Sequence, residues 1–464
     1  MSESPISQGL EPLASNDPPR DRPVVTLHNS IRINVRGRSV RLRGLRRPPK
    51  GILRWIVILG PGLIAASAGN DAGGIATYSS TGAQYGYELI WVMLLITISL
   101  SVVQEMCARL GAATGRGLLD LIRERFGIGW ALFAVGVILV ANGGLVVSEF
   151  VGIGAAMELL GLSKYYVVPL AAALVWYLIA FGNYARVEKI FLLMTLVFFA
   201  YPVAAFLAHP RWGEVAQGAF IPTIHKDPDY IFLLVALMGT TITPYMQLFQ
   251  QSSVVERGGD RRRYGPERID AYAGAIFSNL MSIFMIIATA ATLHAVGHRH
   301  IETAADAAKA LEPVAGHFAG MIFAVGLLGA SLLAAAVLPL ATSYAVSEAF
   351  GFSKGVSLDF RRAPLFFGLF TALVIGGAAA ALIPHLPVIK LLLWIQVLNG
   401  VLLPIILVFM LLLINDPRLT GELRNTRIYN ALGWATFSVI TLAVVVMLGT
   451  QLLELLGIKL FGAP

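Results

Sequence analysis

The chain has 464 residues, of which 56% are hydrophobic and only 13% are charged, with a formal net charge of +8. Soluble domains carry roughly a quarter charged residues, so this composition excludes an ordinary soluble protein. The sequence contains no nucleophile–base motif, phosphate-binding loop or cofactor signature, so we expect neither an enzyme nor a bound cofactor.

Residues 1–50 form a polar tail that ends in a basic stretch. Its arginines are Arg32, Arg36, Arg38, Arg41, Arg43, Arg46 and Arg47. The tail lacks the apolar core of roughly 7–15 residues that a signal peptide requires. A basic segment directly before a membrane helix favours contact with anionic lipid, or a disordered tail, over binding to nucleic acid.

Residues 51–464 form a predicted membrane domain, in which apolar stretches alternate with short polar connections. A helix needs about 20 apolar residues to cross a bilayer. The eleven predicted spans are 53–85, 88–110, 129–160, 165–183, 188–208, 229–255, 270–296, 316–350, 364–384, 388–414 and 429–457. The predicted fold class is therefore an all-α membrane protein.

The distribution of Lys and Arg predicts how these spans are oriented, because cytoplasmic loops carry an excess of both residues. With the N-terminus in the cytoplasm, 28 of the 35 Lys and Arg residues fall on the cytoplasmic side. An even number of spans would disrupt this alternation. We therefore predict a bacterial inner-membrane protein with its N-terminus inside and its C-terminus outside.

The first predicted span contains a carboxylate within a glycine-rich stretch, GPGLIAASAGNDAGGIATYSS. Gly69, Gly73 and Gly74 flank Asn70 and Asp71, and glycine is unfavourable in a continuous helix. Non-helical backbone survives in a membrane only where it lines a cavity or is buried in protein. An intramembrane carboxylate by default marks a transport or ion site. The alternative is a packing break around a protonated Asp71.

The sixth predicted span has a second break, in the stretch ALMGTTITPYMQLFQQS. Pro244 removes a backbone donor and clashes with the preceding turn. Four small residues precede it: Gly239, Thr240, Thr241 and Thr243. Interrupted spans in matching positions of two five-helix halves are typical of inverted-repeat transporters that bind substrate between them. The halves are 53–208 and 229–414, and 429–457 is an eleventh helix.

Four long stretches carry a family resemblance. They are GPGLIAASAGNDAGG at 60–74, VVQEMCARLGAATGRGLLDLIRERFG at 102–127, TPYMQLFQQSSVVERG at 243–258 and LPLATSYAVSEAFGF at 338–352. These stretches resemble the Nramp family of divalent metal transporters. The resemblance implies a LeuT-like fold with a 5+5 inverted repeat, a divalent metal ion as the partner, and a functional monomer in the lipid bilayer.

The sequence departs from the usual Nramp pattern at both breaks. The family usually has Asp-Pro-Gly-Asn where this chain has Asp71-Ala72-Gly73-Gly74, and Met-Pro-His where this chain has Thr243-Pro244-Tyr245. A thioether helps to select soft transition metals, whereas oxygen ligands suit Mg²⁺. Because Mg²⁺ usually keeps several waters, a wider all-oxygen site resembles the Nramp-related magnesium transporter (NRMT) branch.

The predicted metal site is centred on Asp71 as the charged ligand. The other predicted contributors are side-chain oxygens of Asn70 and Thr243, backbone carbonyls of Ala68 and Thr240, and the space at Gly74, with Gln396, Asn399 and Tyr245 around them. Capping of a helix by Asn70 is an equal alternative to its ligand role.

Two acidic residues lie in other predicted spans. Glu149 is a candidate for an ion pathway or proton relay, because an unpaired membrane carboxylate is functional by default. Glu105 lies four residues before Arg109, so an ion pair on one helix face competes with an ion-pathway role. Tyr245 and Gln250 stand where the resemblance expects histidines. We therefore expect uptake driven by the membrane potential, without proton coupling.

Two other functions stay open at this point. One is a conventional proton-coupled Mn²⁺/Fe²⁺ importer in which Thr243 is tolerated. The other is an organic-solute symporter with the same LeuT-like fold, although Asp71 argues against an anionic substrate.

Overall fold

The computed structural model describes residues 30–35, 38–43, 69–182, 200–225, 227–256, 258, 264–309, 319–356, 358 and 360–456. The chain divides into two units, Met1–Ile56 and Val57–Pro464.

The first unit contains an antiparallel hairpin of two strands, β1 (Ser30–Val35) and β2 (Arg38–Arg43). Ser30 pairs with Arg43, and Val35 pairs with Arg38. The prediction for this tail rested on charge and did not include strands. The apolar residues of β1 nevertheless recur at every second position, which is the period of a strand. Contact of the tail with lipid stays a prediction.

The second unit is built from helices joined by short connections. In chain order they are α1 (Ala72–Tyr85), α2 (Ile90–Thr114), α3 (Leu118–Phe126), α4 (Ile128–Leu159), α5 (Lys164–Phe181), α6 (Ala200–Leu207), α7 (Trp212–Phe220), α8 (Pro228–Thr241), α9 (Pro244–Glu256), α10 (Tyr264–Thr289), α11 (Ala304–Lys309), α12 (Ala319–Phe350), α13 (Pro364–Ala381), α14 (Val388–Ile414), α15 (Pro417–Thr420) and α16 (Arg427–Leu455). A π-helical turn, Ala290–His294, continues α10.

The helix bounds agree closely with the predicted spans. Within the described residues, nine helical segments are long and apolar enough to cross a membrane, with α8 and α9 counted together. The predicted first and fifth spans fall partly outside the described residues, which contain only α1 and α6 from them. The all-α membrane fold is therefore confirmed. The short helices α3, α7, α11 and α15 lie between spans and were not predicted.

Both predicted interruptions coincide with residues that are not helical in the structure. Helix α1 begins at Ala72, in the middle of the predicted span 53–85, and residues 53–68 lie outside the described part. Helix α8 ends at Thr241 and α9 begins at Pro244. Pro244 fits here because the first position of a helix needs no backbone donor.

The interrupted sixth span lies at the centre of the helical unit. In the apolar stretch of this span, 83% of the residues are buried, whereas 22% and 28% of the residues are buried in the apolar stretches of α5 and α16. Helices that are apolar on all sides and still exposed face lipid in a membrane protein. The α8–α9 break is therefore shielded by protein, which is the condition under which freed backbone groups survive at this depth.

Candidate metal-binding site

Asp71 caps the N-terminus of α1 from a fully buried position. Its Oδ1 accepts a hydrogen bond from the backbone N–H of Gly74 at 2.5 Å. A carboxylate is stabilised here because the first N–H groups of a helix have no partner within the helix. The second oxygen, Oδ2, has no hydrogen-bond partner among the described residues. Asp71 thus has one oxygen held by the helix and one available to a cation.

The break in the sixth span supplies two hydroxyl oxygens. Thr240 lies in the last turn of α8, and Thr243 lies between the two half-helices; both are fully buried. Neither Oγ1 has a hydrogen-bond partner among the described residues. Buried hydroxyls are normally paired, so these two atoms are candidates for contact with a ligand.

Gly74 is the point where the two breaks meet. A Cβ added to Gly74 would lie 2.7 Å from the carbonyl oxygen of Gly69, 3.2 Å from Asp71 Oδ1 and 3.2 Å from Thr240 Oγ1. Neighbouring atoms therefore lie close to the position that a side chain would occupy, and a wider site at Gly74 stays a prediction. Gly74 contributes a close approach, and its N–H already donates to Asp71.

Helix α14 brings two amide side chains to this region. Gln396 Nε2 donates to Asp71 Oδ1 at 3.3 Å, and its Oε1 has no partner among the described residues. Gly73 permits this contact, since a Cβ there would lie 1.9 Å from Gln396 Nε2. Asn399 Nδ2 donates to the carbonyl of Ile395 in the same helix. Asn399 Oδ1 has no hydrogen-bond partner among the described residues.

Glu149 is a second carboxylate next to Asp71. It is fully buried, its Oε2 accepts from the backbone N–H of Ala72 at 3.2 Å, and its Oε1 accepts from Ser148 Oγ at 2.8 Å. Glu149 therefore caps the same helix N-terminus as Asp71. Neither carboxylate has a Lys, Arg or His ion-pair partner among the described residues. Two buried acids without a nearby cation form a strongly cation-attracting centre.

Asn70 is held by α10. Its Nδ2 donates to the carbonyl and to the Oγ of Ser278, both at 3.1 Å, and its Oδ1 accepts from Ser282 Oγ at 2.6 Å. The structure therefore gives Asn70 neither the free oxygen of a ligand nor the contacts of a helix cap. Sequence reasoning did not identify Ser278 and Ser282, although their i, i+4 spacing places them on one helix face.

The remaining predicted residues lie in different settings. Tyr245 is fully buried in the first turn of α9, and its hydroxyl is unpaired within the described residues. Glu105 forms the ion pair with Arg109 at 3.2 Å and also accepts a hydrogen bond from Tyr264. The structure does not join Glu105 to Asp71. Ala68 lies outside the described residues.

The candidate site thus combines two carboxylates with neutral oxygen donors. No group of three or more His, Cys, Asp or Glu residues that could hold a metal ion is found in the described part of the chain.

The chain is similar to known proteins over most of its length. Residues 62–450 match the family described as "Natural resistance-associated macrophage protein-like" (Nramp). A protein of Klebsiella pneumoniae called divalent metal cation transporter MntH is 28% identical over 394 residues, which cover 83% of this chain and 92% of that protein.

Two solved structures share the fold. The manganese transporter of Eremococcus coleocola superposes with a TM-score of 0.69 at 18% identity, covering 88% of this chain and 90% of that one. MhsT, solved in complex with L-phenylalanine, superposes with a TM-score of 0.57 at 13% identity, covering 87% of this chain and 99% of that one. The LeuT-like prediction is therefore confirmed at the level of the fold.

Proposed function

Because this chain belongs to the Nramp family of divalent metal cation transporters, which are not enzymes, we propose that its main cargo is Mg²⁺, with Mn²⁺ also carried. The ion would bind at Asp71, between α1 and the α8–α9 break. The two half-helix breaks would let the site open to each side of the membrane in turn.

The observation that carries this proposal is the pair of buried carboxylates, Asp71 and Glu149, with no cation beside them in the described structure. Burying a carboxylate without a positive partner is costly. A divalent cation offsets that cost because it interacts with both carboxylates at once, whereas an anionic or neutral organic solute supplies no positive charge. The site therefore favours a metal ion over an organic solute.

The donor atoms favour Mg²⁺ among divalent metals. Unpaired buried oxygens at the α8–α9 break and on α14 belong to hydroxyl and amide groups, on Thr240, Thr243 and Gln396. Carboxylate, carbonyl and hydroxyl oxygens suit hard cations, whereas sulfur ligands favour softer metals. With Thr243 in place of a thioether, we expect no special preference for Cd²⁺.

Uptake without proton coupling is part of the same proposal. Tyr245 and Gln250 replace the two histidines that the resemblance expects, so the sixth span carries no group that titrates near neutral pH at these positions. A divalent cation that moves inward gains free energy from the membrane potential alone, about 2.3 kcal/mol per charge per 100 mV.

The second candidate is uptake of Mn²⁺ as the main cargo. One structurally similar protein favours it, since the Eremococcus coleocola protein is a manganese transporter. Oxygen donors also accept Mn²⁺, so direct measurement must decide between the two ions.

The test is ion uptake into liposomes that contain the full-length protein. Mg²⁺ and Mn²⁺ influx are measured in parallel with internal pH at a fixed membrane potential. We expect Mg²⁺ uptake without acidification, and its loss in Asp71→Ala. The exposed Asp229 provides a matched control, because Asp229→Ala removes the same charge and should retain uptake.

A second variant tests the donor chemistry. Thr243→Met introduces a thioether next to the site and should make Cd²⁺ a stronger competitor of uptake. Mn²⁺ uptake with acidification, and no Mg²⁺ uptake in the unmodified protein, would overturn the Mg²⁺ proposal and leave the second candidate. Uptake that survives Asp71→Ala would exclude Asp71 as the ligand.

A further inference from the structure

A crevice of about 650 Å³ lies between the end of α14, the start of α16 and the end of α3, away from the Asp71 site. Phe126, Leu411 and Leu412 give it an apolar wall, and Arg125 and Arg418 lie on its rim. We propose that this crevice binds the headgroup of an anionic phospholipid, with part of an acyl chain along the apolar wall.

The crevice lies at the level where the hydrocarbon gives way to water. Leu411 and Leu412 belong to the last turn of the apolar helix α14, which ends at Ile414. Asp416 and Arg418 follow directly in the polar connection. Trp434 lines the opposite wall, and tryptophan is enriched at membrane–water interfaces. The lining of the crevice therefore changes from apolar to charged residues, in the same way that a phospholipid changes from its acyl chains to its headgroup.

The walls of the crevice are fixed by contacts within the protein. Asn415 Nδ2 donates to the carbonyl of Leu411 at 2.8 Å and to Asn430 Oδ1 at 2.7 Å, which joins α14 to α16. The ring of Phe126 lies 5.5 Å from that of Phe409, which packs α3 on α14. A lipid would therefore enter a preformed site and would not need to order it.

The charge of the rim is positive. Arg125 Nε lies 2.8 Å from Asp416 Oδ2, and Asp416 Oδ1 also accepts from the backbone N–H of Arg418 at 2.9 Å. The side chain of Arg418 is exposed and has no ion-pair partner among the described residues. Asp416 thus holds the guanidinium group of Arg125 through one nitrogen. The other N–H donors of Arg125 stay available to a phosphate.

The combination favours a lipid over a small anion. A free phosphate would use the arginines but gain nothing from Leu412, which is 45% exposed, or from Trp434, which is 36% exposed. An acyl chain covers these side chains and stays in an apolar environment there, so placing it in the crevice costs little. Arginine recognises phosphate oxygens in a two-pronged geometry, and basic pockets between membrane helices take anionic headgroups.

Lipid retention by the full-length protein tests the proposal. The protein is purified from vesicles of phosphatidylcholine with and without phosphatidylglycerol, and bound lipid is counted by native mass spectrometry. We expect retained phosphatidylglycerol, and about fivefold less for each arginine removed in Arg125→Gln and Arg418→Gln. Arg418→Gln keeps the proposal testable if Arg125→Gln disturbs folding, because Arg418 makes no ion pair within the described residues.

The matched control is Arg361→Gln with Arg362→Gln, which removes two exposed arginines outside the crevice. This control should retain phosphatidylglycerol as the unmodified protein does. Equal loss in this control and in a variant that combines Arg125→Gln with Arg418→Gln would reduce the effect to general surface attraction and overturn the site. Displacement of the lipid by inorganic phosphate alone, at low millimolar concentration, would assign the crevice to a small anion and overturn the lipid.

Discussion

At the scale of single residues, the site depends as much on missing side chains as on ligands. A Cβ at Gly74 would crowd the Gly69 carbonyl, Asp71 Oδ1 and Thr240 Oγ1, so the chain packs closely around the carboxylate that caps α1. Gly73 plays the same part for Gln396, whose amide lies where a Cβ would be. The carboxylate is therefore positioned by close backbone contacts, and small changes at these glycines should affect ion binding directly.

Gly74→Ala tests this dependence. The new Cβ would meet the Gly69 carbonyl at 2.7 Å, so the backbone around Asp71 must shift. Overpacking of this kind costs about 1–3 kcal/mol, which corresponds to about fivefold to 150-fold weaker ion binding when the whole cost falls on the ion-binding geometry. The measurement is the concentration dependence of Mg²⁺ uptake in liposomes.

Gly143→Ala is the control for this change, because a Cβ at Gly143 in α4 meets nothing within 4 Å. It should leave uptake unchanged. If Gly74→Ala transports as well as Gly143→Ala, the close packing around Gly74 has no part in holding Asp71.

At the scale of helices, the site is held by a contact between α8 and α14. A Cβ at Gly239 would lie 2.1 Å from the carbonyl oxygen of Gln396 and 2.4 Å from the nitrogen of Gly400. The two backbones therefore touch at this point, as small residues allow in membrane helices. The same contact sets the position of Gln396 against Asp71, so helix packing and ion binding are coupled here.

Gly239→Ala should separate these two helices and lower both stability and uptake. The backbone atoms in its way cannot rotate aside, so we expect a loss of stability of about 1–3 kcal/mol. Thermal unfolding in detergent and Mg²⁺ uptake are measured together. Gly376→Ala in α13 is the control, because its Cβ would lie in open space. An unchanged melting temperature for Gly239→Ala would show that α8 can move away from α14 freely.

The sequence predicted the helices better than it predicted the contacts between them. Apolar length gave α14 its observed bounds, and glycine and proline gave the two breaks, because these signals are local in the chain. The hydrogen bonds between Asn70 and α10 could not be predicted in this way, since Asn70 and Ser278 are 208 positions apart in the chain. Glu149 was singled out for its charge, but its bond to Ala72 depends on how α4 packs against α1.

At the scale of the whole molecule, the orientation of the protein in the membrane decides which connections face the cytoplasm. The helix bounds fix which connections lie at opposite ends of neighbouring spans, but not which end faces the cytoplasm. The excess of Lys and Arg in alternate connections predicts that the α4–α5 connection is outside and the α12–α13 connection is inside. The membrane potential draws a cation inward through the site in either orientation.

Labelling of single cysteines tests this orientation in intact cells. Cys107 is the one cysteine of the sequence and is buried, so Cys107→Ala provides an unreactive background. Ser163→Cys and Ser353→Cys each add an exposed thiol, one in the α4–α5 connection and one in the α12–α13 connection. We expect a membrane-impermeant maleimide to label Ser163→Cys in whole cells, and Ser353→Cys only after the membrane is opened. Mg²⁺ uptake by each variant confirms that it is folded. The reverse labelling pattern would invert the predicted topology, although the membrane potential would still draw the cation inward.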